Sequence, residues 1–179
     1  MRIFPRNKSS STLILIITLF VIFAMAGCFA KPTPPPQKDK ETAEITLYFD
    51  ASTSNNEYLA TEKRKVEEGN LPLKSMEELI KGPSDESDLK PVLPKEAKIN
   101  SVEIKEDIAY ADFNKALPEN LNVGSSGEVI VLSAIVNTLT EFPEIEKVQI
   151  LIDGEKIESL AGHIVIIDPI ERNEGIIKK

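Results

Sequence analysis

The 179-residue chain has no tryptophan, one histidine and one cysteine. Each shortage excludes something. A lone cysteine, Cys28, cannot close an internal disulfide. One cysteine and one histidine cannot supply the several His or Cys ligands of a usual zinc site, and no metal or cofactor is expected. The histidine, His163, lies beside the apolar run HIVII near the end of the chain, and no G-x-S-x-G elbow accompanies it. A Ser-His-carboxylate centre is therefore not expected. Without tryptophan the chain lacks the aromatic platform that sugar-binding surfaces favour. Cations are also scarce: 21 Lys and Arg stand against 29 Asp and Glu, a net charge of −8. That balance disfavours nucleic acid, whose phosphates require clustered Lys and Arg.

What is abundant is carboxylate. Asp50, Asp107, Asp112 and Asp153 could in principle pair as acid and base. Asp107 and Asp153 are accounted for by turns, and Asp112 by the polar side of a strand. No D-x-D-x-D-G calcium loop occurs. Gly124-Ser125-Ser126-Gly127 precedes a helical stretch and could receive an anion there. It lacks the lysine and the spacing of a P-loop, and helix capping by Ser125 or Ser126, with Glu128 in the first turn, explains it better. No catalytic residue is assigned.

The cysteine is placed where the amino-terminal pattern gives it meaning. Residues 1–11 carry Arg2, Arg6 and Lys8 and no acid, and residues 12–26 read TLILIITLFVIFAMA. A basic segment followed by an apolar run shorter than the ~20 residues of a membrane span is the layout of a signal peptide. Met25-Ala26-Gly27-Cys28 then resembles a bacterial lipobox, with methionine where leucine is most usual. The resemblance implies cleavage before Cys28 and a diacylglycerol on its thiol. The alternative is an uncleaved anchor with an incidental cysteine. Removing residues 1–27 takes three bases and no acid, leaving 18 against 29 and a net charge of −11. Such a chain does not adsorb to an anionic bilayer by charge, so the lipid would be the attachment. Residues 28–43, with Pro32, Pro34, Pro35 and Pro36, read as an extended tether.

The folded region is expected at 44–168, with a polar tail at 169–179. Glu44–Asp50 alternates as a half-buried strand and Tyr58–Val66 as a second. The basic run Lys63-Arg64-Lys65 reads as a charged, solvated edge. In NLPLKSMEELIKGP (70–83), Leu73, Met76, Leu79 and Ile80 share a helical face, Asn70 caps the start and Gly82-Pro83 stops it. Residues 98–114 predict a hairpin. Glu128–Phe142 predicts a helix apolar around much of its circumference, with Val131, Leu132, Ile135 and Leu139 as its main stripe. Lys147–Ile152 predicts a strand, and Asp153-Gly154 a turn, with Lys156 and Ile157 opening a short return strand. The order ββαββαβ suits an α+β fold, a mainly antiparallel sheet with two helices packed on one face.

The helix ending in Gly82-Pro83, the hairpin ending Ala109-Tyr110-Ala111-Asp112-Phe113 and above all AIVNTLTEFPEIEKVQILIDGEKI (Ala134 to Ile157) resemble the GerMN domain of sporulation and spore-germination proteins. The resemblance covers residues 44–168. It implies a fold similar to the ring-building motifs of secretion and sporulation assemblies. It implies, too, a protein-interaction module without an established active site. The namesake of the family carries two such domains; this chain carries one. Two functions follow as expectations. The first is a lipid-anchored, extracytoplasmic interaction or scaffold domain with a protein partner in the cell envelope, acting in sporulation, germination or envelope assembly. The second is a cell-wall hydrolase or carbohydrate-binding lipoprotein that uses surface carboxylates.

Overall fold

A computed structural model of the chain describes residues 41–178. The expected signal peptide, Cys28 and all but the end of the tether lie outside these residues. Strands β1 (Thr42–Asp50) and β2 (Leu59–Glu67) form an antiparallel ribbon in the register Thr46↔Lys63. Helix α1 (Leu71–Lys81) follows, with the Asn70 side chain accepting from the Leu73 N–H at 3.1 Å. Met76 and Leu79 are fully buried, as the stripe predicts, while Leu73 and Ile80 only border the core.

The hairpin β3 (Ile99–Lys105) and β4 (Ile108–Phe113) turns at Glu106, whose φ is +58°. A one-turn helix α2 (Ala116–Asn120) and the long helix α3 (Ser125–Leu139) then carry the chain back, so that β5 (Lys147–Ile152) lies parallel to β4. A parallel neighbour requires a crossover of a dozen residues or more, and residues 114–146 supply it. The short strands β6 (Glu155–Lys156) and β7 (Ile170–Glu171) both pair antiparallel with β5. A 3₁₀ turn, Glu174–Ile176, ends the fold. The class is α+β and four of the five strand pairings are antiparallel.

The structure differs from the expected layout in four places, each with a physical reason. First, the strands form two sheets, β1–β2 and a five-stranded sheet. β1 cannot extend the second because its free edge is occupied. The Tyr48 N–H donates to the Thr138 hydroxyl at 3.2 Å, and Asp50 exchanges both backbone hydrogen bonds with Lys90. Second, α3 starts earlier and stops earlier than 128–142. The Glu128 N–H already reaches the Gly124 carbonyl at 2.9 Å, making Gly124 the cap, and neither Ser125 nor Ser126 caps by its side chain. At the other end the Thr140 hydroxyl bonds back to the Val136 carbonyl at 2.8 Å, and Phe142 lies in the turn beyond.

Third, the expected polar tail is packed. β7 completes the sheet, Ile176 is buried, and the Lys178 N–H donates to the Leu59 carbonyl at 2.8 Å. Fourth, Arg64 is not a solvated edge residue. It ion-pairs with Glu62 and with Glu78 (2.9 Å), donates to the carbonyls of Glu78 and Gly82, and lies over the Phe49 ring. Lys63 does point outward, paired with Glu44 at 2.7 Å.

The core is organised around α3. Every residue from Ile130 to Leu139 is buried, and the helix touches β1, α1, β5 and the terminal 3₁₀ turn. Leu47 and Phe49 from β1, Phe113 from β4 and Ile150 from β5 are fully enclosed with Ile135 and Leu139. Gly127 is required in the first turn because a Cβ there would stand 2.8 Å from the Cβ of Val123.

Two outcomes follow. Replacing Ile135 by Asp puts a charge where no water or partner reaches and unfolds the domain, read as loss of the cooperative thermal transition. Replacing Arg64 by Ser lowers unfolding free energy by about 1–3 kcal/mol, because hydrogen bonds to charged partners are lost, whereas replacing Lys63 and Lys65 leaves the melt in place; urea titration of the three variants separates them.

Candidate functional site

The polar residues inside α3 are the place to look, since an otherwise apolar helix buries Glu128, Ser133, Asn137 and Thr138. Glu128 is fully buried. Its Oε1 accepts from the Ser159 hydroxyl (2.7 Å) and from the backbone N–H groups of Leu160 (3.0 Å) and Ala161 (2.8 Å). Its Oε2 accepts from the N–H groups of His163 (2.9 Å) and Ile164 (3.2 Å). Five donors thus fill one carboxylate. Burial pushes this carboxyl up, but the Ala161 N–H, the Ser159 hydroxyl and the His163 and Ile164 N–H groups outweigh it and hold it below its ordinary value. The loop 157–169 between β6 and β7 is wrapped around this anion, turning at Gly162, where φ is +87°. Its far side is fixed by the Gln149 amide, which donates to the Ile166 carbonyl at 3.2 Å.

Roughly two and a half turns further along, the same helix holds the end of the chain. The Asn137 amide donates to the Asn173 carbonyl and accepts from the Asn173 N–H, both at 2.9 Å, as a strand neighbour would. The Asn173 amide reaches the Ser133 hydroxyl at 3.2 Å. Arg172 donates to the Asn137 carbonyl (2.8 Å), Thr140 hydroxyl (3.1 Å), Tyr48 hydroxyl (2.5 Å) and Glu141 carboxylate (2.8 Å), and pairs with Glu174. Its guanidinium also covers the Tyr48 ring at 5.2 Å. Tyr48 donates to Glu141 at 2.7 Å. Burial and that carboxylate raise the phenol's pKa, so it stays protonated. The stretch Asn137–Pro143 is thereby explained as a latch joining β1, α3 and the carboxy-terminal segment.

The other candidates are not brought together. Asp50 closes a local turn onto the Ser52 N–H (2.7 Å). Asp112 fixes the β5–β6 turn through the Gly154 N–H (2.7 Å) and takes the Asn100 amide (3.1 Å). Asp153 is a turn residue with φ +48°. Asp107 precedes β4, at the opposite end from Asp112, and its carbonyl receives the Glu146 and Lys147 N–H groups. His163 serves the Glu128 cradle through its backbone, with its side chain exposed. Among the described residues no group of three or more His, Cys, Asp or Glu is placed to hold a metal ion, and no helix is long and apolar enough to cross a membrane.

Sequence reasoning placed Glu128 only as a first-turn acid and missed Arg172 and Asn173. A signal for Glu128 was present: it precedes Leu132, Ile135 and Leu139 at the spacing of their own buried stripe.

Removing the carboxylate leaves four backbone N–H groups without their acceptor, that of Leu160 buried and the other three partly so. Glu128→Ala should cost about 3–5 kcal/mol, and added formate should restore part of the loss in a urea titration. The pH sign follows from the lowered folded pKa. The contribution is fully present above the ordinary carboxyl value of 4.5 and is lost as pH falls below it toward the folded value. The stability gap between wild type and Glu128→Gln should therefore shrink below that pH.

The comparisons with known proteins can now be set against this geometry. The sequence profile of the family described as Germane, sporulation and spore germination, matches residues 46–158. The spore germination protein GerM of Bacillus subtilis (strain 168) is 28% identical over 167 residues, 84% of this chain and 44% of that protein, so the chain spans less than half of that relative. Among solved structures, a Clostridium perfringens protein described as a candidate lipoprotein is 32% identical, with a TM-score of 0.55 over 73% of this chain and 87% of the other. The tandem GerMN domains of the Bacillus subtilis sporulation protein GerM share the fold at a TM-score of 0.62 and 24% identity, covering 82% of this chain and 51% of that one. The first of those domains alone gives 0.57 at 23% identity, with 74% of this chain and 98% of that domain covered. With a match across most of its folded part, the chain belongs to the Germane family of sporulation and spore germination proteins.

Proposed function

We propose that this protein is a lipid-anchored, extracytoplasmic member of its family whose GerMN-type domain is a non-catalytic interaction or scaffold module of the cell envelope in sporulation or germination. The observation that carries the reading is the full internal use of the polar groups in α3. Both oxygens of Glu128 are filled by the protein's own donors, and the buried Asn137 and Thr138 are likewise bonded to Asn173 and Tyr48. A general acid or base must present a free proton site to a substrate, and Glu128, the buried carboxylate of the helix, has both oxygens occupied.

The anchor rests on the basic segment, the apolar run and the lipobox-like Met25–Cys28, and is supported by similarity to a protein described as a candidate lipoprotein. Acyl chains gain ~0.8 kcal/mol per buried methylene, and two chains hold where one does not.

Cys28→Ala should release the protein from membranes or leave its signal uncleaved, and the native amino-terminal peptide should carry the mass of a diacylglycerol. An unmodified Cys28 in the native membrane fraction would overturn the anchor. The purified full chain should leave peptidoglycan intact; cleavage that disappears on a carboxylate substitution would overturn the non-catalytic reading.

A further inference from the structure

We propose that loop 157–169, with the shallow groove beside it, is the docking surface of this module, and that its partner is a protein segment presenting an aliphatic or aromatic side chain flanked by lysine or arginine. The proposal rests on the interaction-module reading and names the chemistry of the partner. The loop lies almost wholly beyond the residues that the family profile matches.

Three observations converge on it. Large hydrophobic side chains are exposed at Val165 (68%) and Ile167 (48%), two positions apart, with the fully buried Ile166 between them. An extended segment whose middle residue is anchored turns both neighbours outward. The exposure is also held rigidly. Glu128 fixes residues 159–164, the Ile166 N–H donates to the Glu158 carbonyl at 2.9 Å, Gln149 holds the Ile166 carbonyl, and Lys156 donates to the Ile167 carbonyl at 3.1 Å. A loop this tightly fixed loses little entropy when it meets a partner. Beside Val165, a depression of about 280 Å³ is walled by Val129, Leu132, Ile164 and Ile170, a size suited to an apolar side chain.

Charge decides the occupant. Asp168 adjoins Ile167, Glu171 lines the groove and Glu158 starts the loop, and all three are exposed. Glu171 pairs with the half-buried Lys147 at the rim. Between residues 153 and 174 six acids stand against two bases. An apolar centre with an acidic rim matches an apolar residue among cations and repels an anionic bilayer or a second copy of the same acidic face.

The test uses the full chain in its native cells, with a benzophenone amino acid at Val165 or Ile167 and, as reference positions, at Lys65 or Lys105. Supporting outcomes are crosslinks from Val165 and Ile167 to a segment of a different protein that holds an aliphatic or aromatic residue among at least two cations. That yield should fall at least about fivefold when Glu158→Lys and Asp168→Lys are added. A Val165→Ser/Ile167→Ser variant should melt like wild type, showing that the pair is not there for folding. Crosslinks to lipid, to a second copy or to a segment without cations overturn the proposed surface. So does silence at Val165 and Ile167 while Lys65 or Lys105 captures a protein, which leaves the module reading standing. Silence at all four positions overturns both.

Discussion

A buried carboxylate without a cation is the constraint on which much of this structure depends. Glu128 sits in the first turn of α3, where the helix dipole favours a negative charge. That is too small an effect to justify complete burial. What makes burial tolerable is a set of five donors, four of them backbone N–H groups from a single loop. The dependence runs both ways. Those N–H groups belong to no strand or helix, so the loop can be compact only because the carboxylate satisfies it. Helix and loop therefore order together, and the pocket for the anion is built by residues 159–164 around a carboxylate 31 to 36 positions earlier in the chain.

The same logic extends along the helix. Asn137 and Thr138 each supply a bond that a neighbouring strand would otherwise have given. Asn137 behaves toward Asn173 as a strand edge would, and Thr138 blocks the edge of β1 that could otherwise have joined the larger sheet. A polar side chain in a buried helix costs stability unless it is paired. Here each pairing joins elements distant in sequence: Tyr48 to Thr138, Asn137 to Asn173, Glu128 to Ser159. Hydrophobic burial makes the helix the spine, and these few polar bonds determine which segments lie against it. Non-directional burial alone could not select among them.

This division also explains what could be read in the sequence. The strands at 42–50 and 59–67, the capped helix ending at Gly82, the hairpin and the apolar helix all carry local periodicity, and all were legible. The ends of α3 and the role of Arg64 were not. The first depends on a hydroxyl turning back at Thr140, and the second on Glu62, Glu78 and Gly82 being folded around one guanidinium. The carboxy-terminal segment looked polar because its polar residues, Arg172 and Asn173, are used inward. Composition cannot distinguish a solvated arginine from one that closes a latch on Tyr48 and Glu141. Glu128 was half legible: its spacing placed it on the buried stripe, but the donors that make this possible are backbone groups, which no side-chain pattern announces.

A central helix whose buried polar groups are paired within the protein has a functional consequence. Chemistry needs unsatisfied donors, acceptors or protons held near a substrate, and such groups destabilise the protein that carries them. Around α3 the opposite choice was made, with the available hydrogen-bonding capacity turned toward closure of the fold. Specific recognition from such a scaffold must then come from shape, apolar area and the arrangement of surface charge. All three are found on the loop that Glu128 supports: two projecting aliphatic side chains, a groove beside them and an acidic rim. The buried anion thus acts at a distance from any partner, because the loop can hold apolar side chains in water only while its backbone is held by the carboxylate beneath it.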